Sequence, residues 1–429
     1  NNGSNPVLAN LIFSANYAQY GGGGMYNYSS NPMLTDVTFN YNFAPNGGGI
    51  YNDTNSSPTL TNAIFTRNTA VGYGYGGGMY NTISTHPMLT NVTFSNNSAS
   101  EGGGIYNRES NPTLIGVSFS DNLASETGGG MNNYESSPTL TNITFRSNSA
   151  KNGGGMHNFV SSPMLTNVTF SSNSAKNGGG MHNFVSSPML TNVTFSANSA
   201  TAADGGGGGM HNYGGSPHIR NTIFWGNTAP SGSQIYNNSS TPIVSDSVVQ
   251  GGYSDATNII TADPLLGMLG NYGGITQTIP LLAGSSAINT GNDGICPSSD
   301  QRGILRPQST HCDIGAYEYD APVHISIYYV KPVASGVGDC LSWTNACTLQ
   351  TALANAISGS ELWVMAGTYK PTTSVDRNAS FHLKSGVAVY GGFAGVETMR
   401  DQRNPAISVT ILSGEIGAVG NSDNSYHVV

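Results

Sequence analysis

The chain has 429 residues and a formal net charge of −9, yet only 9% of its residues are charged. Its 14 Lys and Arg form no patch, which argues against a nucleic-acid partner. No apolar run approaches the ~18 residues that would mark a membrane-spanning helix.

From Met25 to Asn237 one phrase recurs nine times, in its fullest form Gly-Gly-Gly, then Met or Ile, an aromatic residue or His, and Asn, as in Gly76-Gly77-Gly78-Met79-Tyr80-Asn81. Successive copies lie 25 to 29 residues apart, a period that marks a solenoid. A second phrase, Phe-x-x-Asn, runs in step with it and is preceded in most copies by Pro-x-Leu, as in Pro87-Met88-Leu89. Within a repeat, Val92-Thr93-Phe94 and Met79-Tyr80-Asn81 alternate from face to face, a period of two that signals strands. Gly, Pro, Asn, Ser and Thr dominate and disfavour helix. The fold expected is all-β, a right-handed parallel β-helix over residues 1 to 245. Nine coils at a rise of ~4.8 Å reach about 43 Å.

Column by column, the repeat separates structural from candidate functional positions. Asn16, Asn42, Asn68, Asn97, Asn122, Asn148, Asn173, Asn198 and Asn227 share one phase and are expected to form a buried ladder, since buried polar groups must be satisfied. Asn27, Asn52, Asn81, Asn107, Asn133, Asn158, Asn183, Asn212 and Asn237 form a second candidate ladder. Glycine triplets permit left-handed backbone and close approach. The column Tyr26, Tyr51, Tyr80, Tyr106, His157, His182, His211 and Tyr236 is expected to face outward as an aromatic stripe, a candidate ligand-binding surface for sugar chains or a neighbouring molecule. His157, His182 and His211 could align, but nothing beside them supplies a carboxylate or Cys ligand, so no metal and no cofactor is expected.

Carbohydrate-cleaving chemistry needs clustered carboxylates, or carboxylates beside basic groups. The acids of the repeats, Asp36, Asp53, Glu101, Glu109, Asp121, Glu126, Glu135 and Asp204, occupy scattered phases. Only Glu109 and Glu135 share one on adjacent coils, and they lack basic partners, so no catalytic residue is assigned. Outward Thr93, Thr144, Thr169 and Thr194 do not form the Thr-x-Thr strands of ice-binding helices. Asn91, Asn142, Asn167 and Asn192 open formal glycosylation sequons that recur because the repeat recurs.

Residues 246 to 320 lose the period and are rich in loops. Cys296 and Cys312 flank one loop, and Cys340 and Cys347 another further on, two local pairs that suggest disulfides and an oxidising compartment. Asp300, Arg302, Arg306, Asp313 and Glu318 read as an ion-pair network that docks the loops, with Arg302 at its centre. Residues 321 to 429 read as strands Tyr328-Tyr329-Val330 and Glu361-Leu362-Trp363-Val364 around an amphipathic helix that places Leu349, Leu353 and Ile357 on one face. Here a second β-helix is expected to begin, its helix capping the open end.

The repeats, with Phe-x-x-Asn and Gly-Gly-x-Ile, resemble the polymorphic outer-membrane-protein repeats of chlamydial and other bacterial surface proteins. Asp300-Gln301-Arg302-Gly303, Arg306-Pro307 and Cys312-Asp313-Ile314-Gly315-Ala316-Tyr317-Glu318 resemble the choice-of-anchor Q module that follows such β-helices in secreted bacterial proteins. The resemblance implies architecture and an extracellular or cell-surface location rather than an activity. The chain therefore reads as a non-enzymatic structural protein, a subunit or tandem segment of a surface filament or stalk built by head-to-tail stacking with copies of itself. The alternative is a carbohydrate-binding or carbohydrate-cleaving β-helix adhesin with surface polysaccharide as its partner.

Overall fold

The computed structural model describes residues 1–203, 206–320, 327–356, 360–416 and 423–429. The chain divides into two compact units, Asn1–Tyr319 and Asp320–Val429.

The first unit is a parallel β-helix. Strands of three to eight residues stack in register into a nine-stranded sheet running from Met25–Tyr28 to Ile235–Asn238 and a 17-stranded sheet built from the Pro-x-Leu and Phe-x-x-Asn segments. A smaller four-stranded sheet is contributed by the spacers Phe43–Asn46, Thr69–Tyr75, Ser98–Glu101 and Leu123–Thr127. A column of phenylalanines runs through the core beside columns of Leu, of Val or Ile, and of Met or Ile. From Phe13 to Phe224 the rings stack 4.6–5.1 Å apart with planes within 12° of parallel. That separation equals the strand spacing, so each ring lies directly on the one below.

The bends are where a parallel sheet leaves backbone donors unpaired, and asparagine supplies the partners. Asn122 shows the pattern. Its Oδ1 accepts both the backbone N–H and the Nδ2 of Asn97, each at 3.0 Å, while its own Nδ2 donates to Phe94 O and Asn148 Oδ1, each at 2.9 Å. The same bonds run from Asn16 to Asn227, where Nδ2 ends on Gln234 Oε1 at 2.7 Å. The second ladder runs from Asn1 and Asn27 to Asn237 and ends on the Tyr253 hydroxyl at 2.7 Å.

Each glycine of the triplet has its own reason. Gly128 sits at φ +65°, in the left-handed region. A Cβ on Gly129 would lie 2.5 Å from Gly154 O, and one on Gly130 would lie 2.8 Å from the Phe145 ring, so coil and core approach too closely for any side chain.

Residues 250–319 fold back onto the wall of the same unit. Thr257–Ile260 adds a strand to Ile243–Val249. Leu281, Ala287, Ile314 and Tyr317 bury Ile223 and Val248, and a Cys296–Cys312 disulfide closes the loop between them. The ion-pair network has two centres rather than the single Arg302 expected. Arg302 pairs with Asp300 at 2.8 Å and lies 3.6 Å over the Tyr317 ring. The more deeply buried Arg306 pairs with Glu318 at 2.9 Å and donates to Asp313 O and Gly315 O, both at 2.8 Å. The difference is geometric: a guanidinium fork reaches two carbonyls of a tight loop and a carboxylate at once.

In the second unit Ile327–Val330, Glu361–Met365 and Ala388–Phe393 form a parallel sheet, and Gly367–Tyr369 pairs with Thr410–Leu412. The helix spans Leu349–Asn355, is capped by Thr348, and packs Leu349, Ala352 and Leu353 against Val330, Leu362 and Val364. Ile357, expected on the same face, lies outside the described residues. Cys340 is bonded to Cys347. No described helix is long and apolar enough to cross a membrane.

Replacing Asn122 by Ala removes one acceptor and two donors from the buried ladder and is expected to cost about 2–4 kcal/mol. The measurement is the urea unfolding midpoint, and an unchanged midpoint would remove the ladder from the account of stability. Gly130→Ala is expected to lower the midpoint as well, through the clash with Phe145, by about 1–3 kcal/mol.

Candidate functional site

The column after the glycine triplets forms one continuous stack in the nine-stranded sheet. Tyr26, Tyr51, Tyr80 and Tyr106 are in register, followed by Asn132, His157, His182, His211 and Tyr236. Asn132 fills the one coil that the stripe skips.

The expectation that this column stands free is corrected by its burial. Tyr26 at the first coil is 38% exposed, but Tyr106 is 4% exposed and the three histidines are buried. The spacer strands cause this, because they fold the outward rings into a crease between two sheets. Tyr75, from a spacer, lies 4.7 Å from the Tyr106 ring. Two ring pairs of the column also cover one another, Tyr51 and Tyr80 at 4.8 Å and His157 and His182 at 5.1 Å, whereas Tyr26–Tyr51 and Tyr80–Tyr106 meet edge to face. Where the rings stack, the faces that a sugar ring would lie on are covered.

Polar groups of the column are tied to each other. The Tyr26 hydroxyl donates to Asp53 Oδ2 at 2.7 Å, and burial together with that carboxylate pushes it up to about 12. Glu101 is pushed up by burial against the pull of its hydrogen bonds, one of which comes from Asn132 Nδ2 at 2.9 Å. Asn132 Oδ1 lies 2.8 Å from His157 Nδ1. Burial lowers His157 to about 4, and it lowers His182 and His211 too, with neighbouring imidazoles adding to the effect at His182. His182 Nδ1 is buried with no hydrogen-bond partner among the described residues. Among the described residues no group of three or more His, Cys, Asp or Glu is placed to hold a metal ion.

The acids stay dispersed. Glu109 and Glu135 sit in exposed left-handed turns, with Glu109 beside Arg108 at 3.6 Å, and Glu126 pairs with Lys151 at 3.0 Å. Asp204 lies outside the described residues.

The threonine face is covered where the sequence leaves it open. Thr169 donates to Gln301 Oε1 at 2.6 Å, Thr194 Oγ1 accepts from Ala316 N at 3.0 Å, and Thr144 bonds to Gln277 O. Gln301, not singled out in the sequence, plugs this face: its Nε2 reaches Thr144 Oγ1 at 2.8 Å and Thr276 Oγ1 at 2.9 Å. Beside it runs a left-handed corner occupied by Asn10, Asp36, Asn62, Asn91, Gly116, Asn142, Asn167, Asn192, Asn221 and Asp246. Loop carbonyls dock on it: Asn167 Nδ2 donates to Ser299 O at 2.8 Å, and Asn192 Nδ2 to Asp313 O at 2.9 Å. Two of the four sequon asparagines, Asn167 and Asn192, are therefore buried and closed to glycosylation in the folded chain. The shared phase of these residues is visible in the repeat; what covers them is not.

Two stretches, residues 36–53 and 91–108, match the Chlamydia polymorphic membrane protein repeat. Each runs from the left-handed corner through Phe-x-x-Asn and Gly-Gly-Gly to the second ladder asparagine. No curated protein matches the chain. Among solved structures it is similar to the PL6 family alginate lyase AlyGC and to an arginine-to-alanine mutant of it. Identities are 11% and 12% and TM-scores 0.33 and 0.35, with 90% of this chain covered in both cases. The chain spans 65% of the length of these lyases.

The histidine column makes stability pH-dependent in a defined sense. The folded state holds these groups neutral, whereas the unfolded chain protonates them below about pH 6.5. Stability is therefore greatest above that pH and falls as the pH drops towards 4, with His157 alone worth roughly 3 kcal/mol over that interval. Asp313, pushed up to about 6 by burial, acts in the opposite sense, so the readout is the difference between variant and wild type. Converting His157, His182 and His211 to Asn, the residue this column already accepts at Asn132, is expected to remove the loss. Parallel pH profiles of the unfolding midpoint for the two proteins would overturn the assignment.

Proposed function

We propose that this chain is an extracellular, non-catalytic β-helix that serves as a segment of a bacterial surface stalk or filament, with residues 246–320 acting as a closing module of the choice-of-anchor Q type. The observation that carries the reading is the axial investment of the repeat. Two asparagine ladders, a phenylalanine stack and the glycine triplets all direct their contacts along the coil axis. Two disulfides and the surface-protein repeat support an extracellular setting.

Stacking needs an end that accepts a coil. At the first described coil the inward residues Leu8 and Phe13 are only partly covered, so a coil stacked on them would extend the same columns. At the other end of the repeats the ladders close on Gln234 and Tyr253. In this reading the coils of one copy stack on the coils of the next, and such a heterologous contact does not close on itself.

Electron microscopy of the purified protein is expected to show rods that lengthen with concentration while keeping their width. A Phe13→Asp change should cut rod length, and rods of unchanged length would remove the stacking reading. Incubation with alginate and related uronates is expected to release no unsaturated product; turnover would favour a carbohydrate-cleaving protein instead.

A further inference from the structure

The closing module covers only part of one wall. Over the C-terminal coils it buries the outward column Thr144, Thr169, Thr194, Ile223 and Val248, and it hangs its loop carbonyls on the asparagine corner alongside. Over the N-terminal coils the same two columns continue with the same chemistry, and no described residue of the module bonds to them. The outward column there is Ile12, Thr38, Ile64 and Thr93, and Ile64 is 44% exposed where its counterpart Ile223 is 0% exposed. The corner there is Asn10, Asp36, Asn62 and Asn91, all exposed. Asn91 Nδ2 donates to Asn62 Oδ1 at 2.7 Å, and Asn62 Nδ2 to Asp36 Oδ1 at 3.1 Å. That uses one N–H of each amide. In the covered coils Asn167 spends both, one on Asn142 and one on Ser299 O.

The boundary between the two regions is Gly116, which replaces asparagine in the corner. A Cβ there would lie 3.2 Å from Ile275, the apolar residue at the free edge of the module, and Ile275 is itself 64% exposed. An exposed isoleucine edge thus stands one coil away from an exposed isoleucine–threonine strip.

We propose that this strip is a docking surface for a second copy of the chain, side by side and antiparallel, with the module edge of each copy seated on the uncovered coils of the other. Coil counting fixes the pairing. Gly116 lies one coil after Asn91, and Asn62 one coil before it. A twofold axis crossing the strip at Asn91–Thr93 exchanges those positions and sets the partner's Ile275 over Ile64. One layer of side chains between two sheets fills the ~10 Å at which sheets pack face to face. The contact repeats what the intramolecular interface already does, apolar side chains on the outward column and loop carbonyls on asparagine amides, and it is isologous, so it closes as a dimer. It is independent of axial stacking: side-by-side pairing doubles width at fixed length, whereas head-to-tail growth adds length.

The test is sedimentation velocity on the full chain. Below the concentration at which rods lengthen, wild type is expected at twice 44.5 kDa. Ile64→Lys and Ile275→Glu, both surface changes, are each expected to sediment as monomers with an unaltered circular dichroism spectrum. An equimolar mixture of the two variants, which juxtaposes lysine and glutamate across one contact and leaves wild-type residues in the other, is expected to recover the dimer. Monomeric wild type at its highest soluble concentration would overturn the proposal, as would dimeric single variants or a mixture that stays monomeric. Should either variant misfold, Thr93→Cys replaces it: cysteines on the twofold axis of sheets ~10 Å apart are too far for a disulfide but within reach of a short bismaleimide, and failure of that reagent to cross-link them overturns the proposal.

Discussion

Everything in the first unit depends on one constraint: a coil that rises by one strand spacing must find partners for its backbone polar groups in the coils directly above and below. In the straight segments parallel pairing meets that need. At the bends it does not, and an unpaired buried N–H costs about as much as a lost hydrogen bond. Asparagine answers the problem because its carboxamide imitates a peptide group, with an acceptor for the N–H on one side and donors for the carbonyls on the other. Once one bend is met in this way, the neighbouring coil must present the same side chain at the same place. A local need thereby becomes a column.

The other columns follow from the same rise. Flat phenylalanine rings stack at the strand spacing without tilting, and the Leu, Val and Met or Ile columns repeat beside them at the same rise. The neighbouring coil's carbonyl then forbids a Cβ at the second and third glycines, and close approach of the ring forbids it at the third as well. Even the histidines obey the rule, since a planar polar group of any kind fits a column whose ring centres repeat about 5 Å apart. Tyr106, Asn132 and His157 occupy consecutive coils of a single column for that reason.

This also explains what could be read from the sequence. Phe119, Asn122 and Gly130 are legible because their partners are their own copies in neighbouring repeats, and a fixed period reveals both partners at once. The burial of Tyr106 is not legible, because it depends on Tyr75 in a spacer whose length and sequence vary from coil to coil. The cover over Thr169 and Asn192 is less legible still. Its residues, Gln301, Asp313 and Gly315, lie more than a hundred positions away and belong to a segment with no period. Arg302 and Arg306 could be recognised as ion-pair centres but not ranked, since rank is set by which guanidinium a loop carbonyl reaches.

Residues 151–175 and 176–200 differ only at Ser172 and Ala197, so a whole coil has been added with almost no adjustment elsewhere. A solenoid permits this because each coil contacts only its neighbours. The closing module does not share that freedom, since it is tied to particular coils by Gln301, Asn192 and Asn221 at the C-terminal end. Adding coils on the N-terminal side of Gly116 leaves the module in place and lengthens the uncovered wall. Repeat number therefore sets how much of the isoleucine–asparagine strip is open, and the fold can change the extent of that surface without changing the packing of any coil.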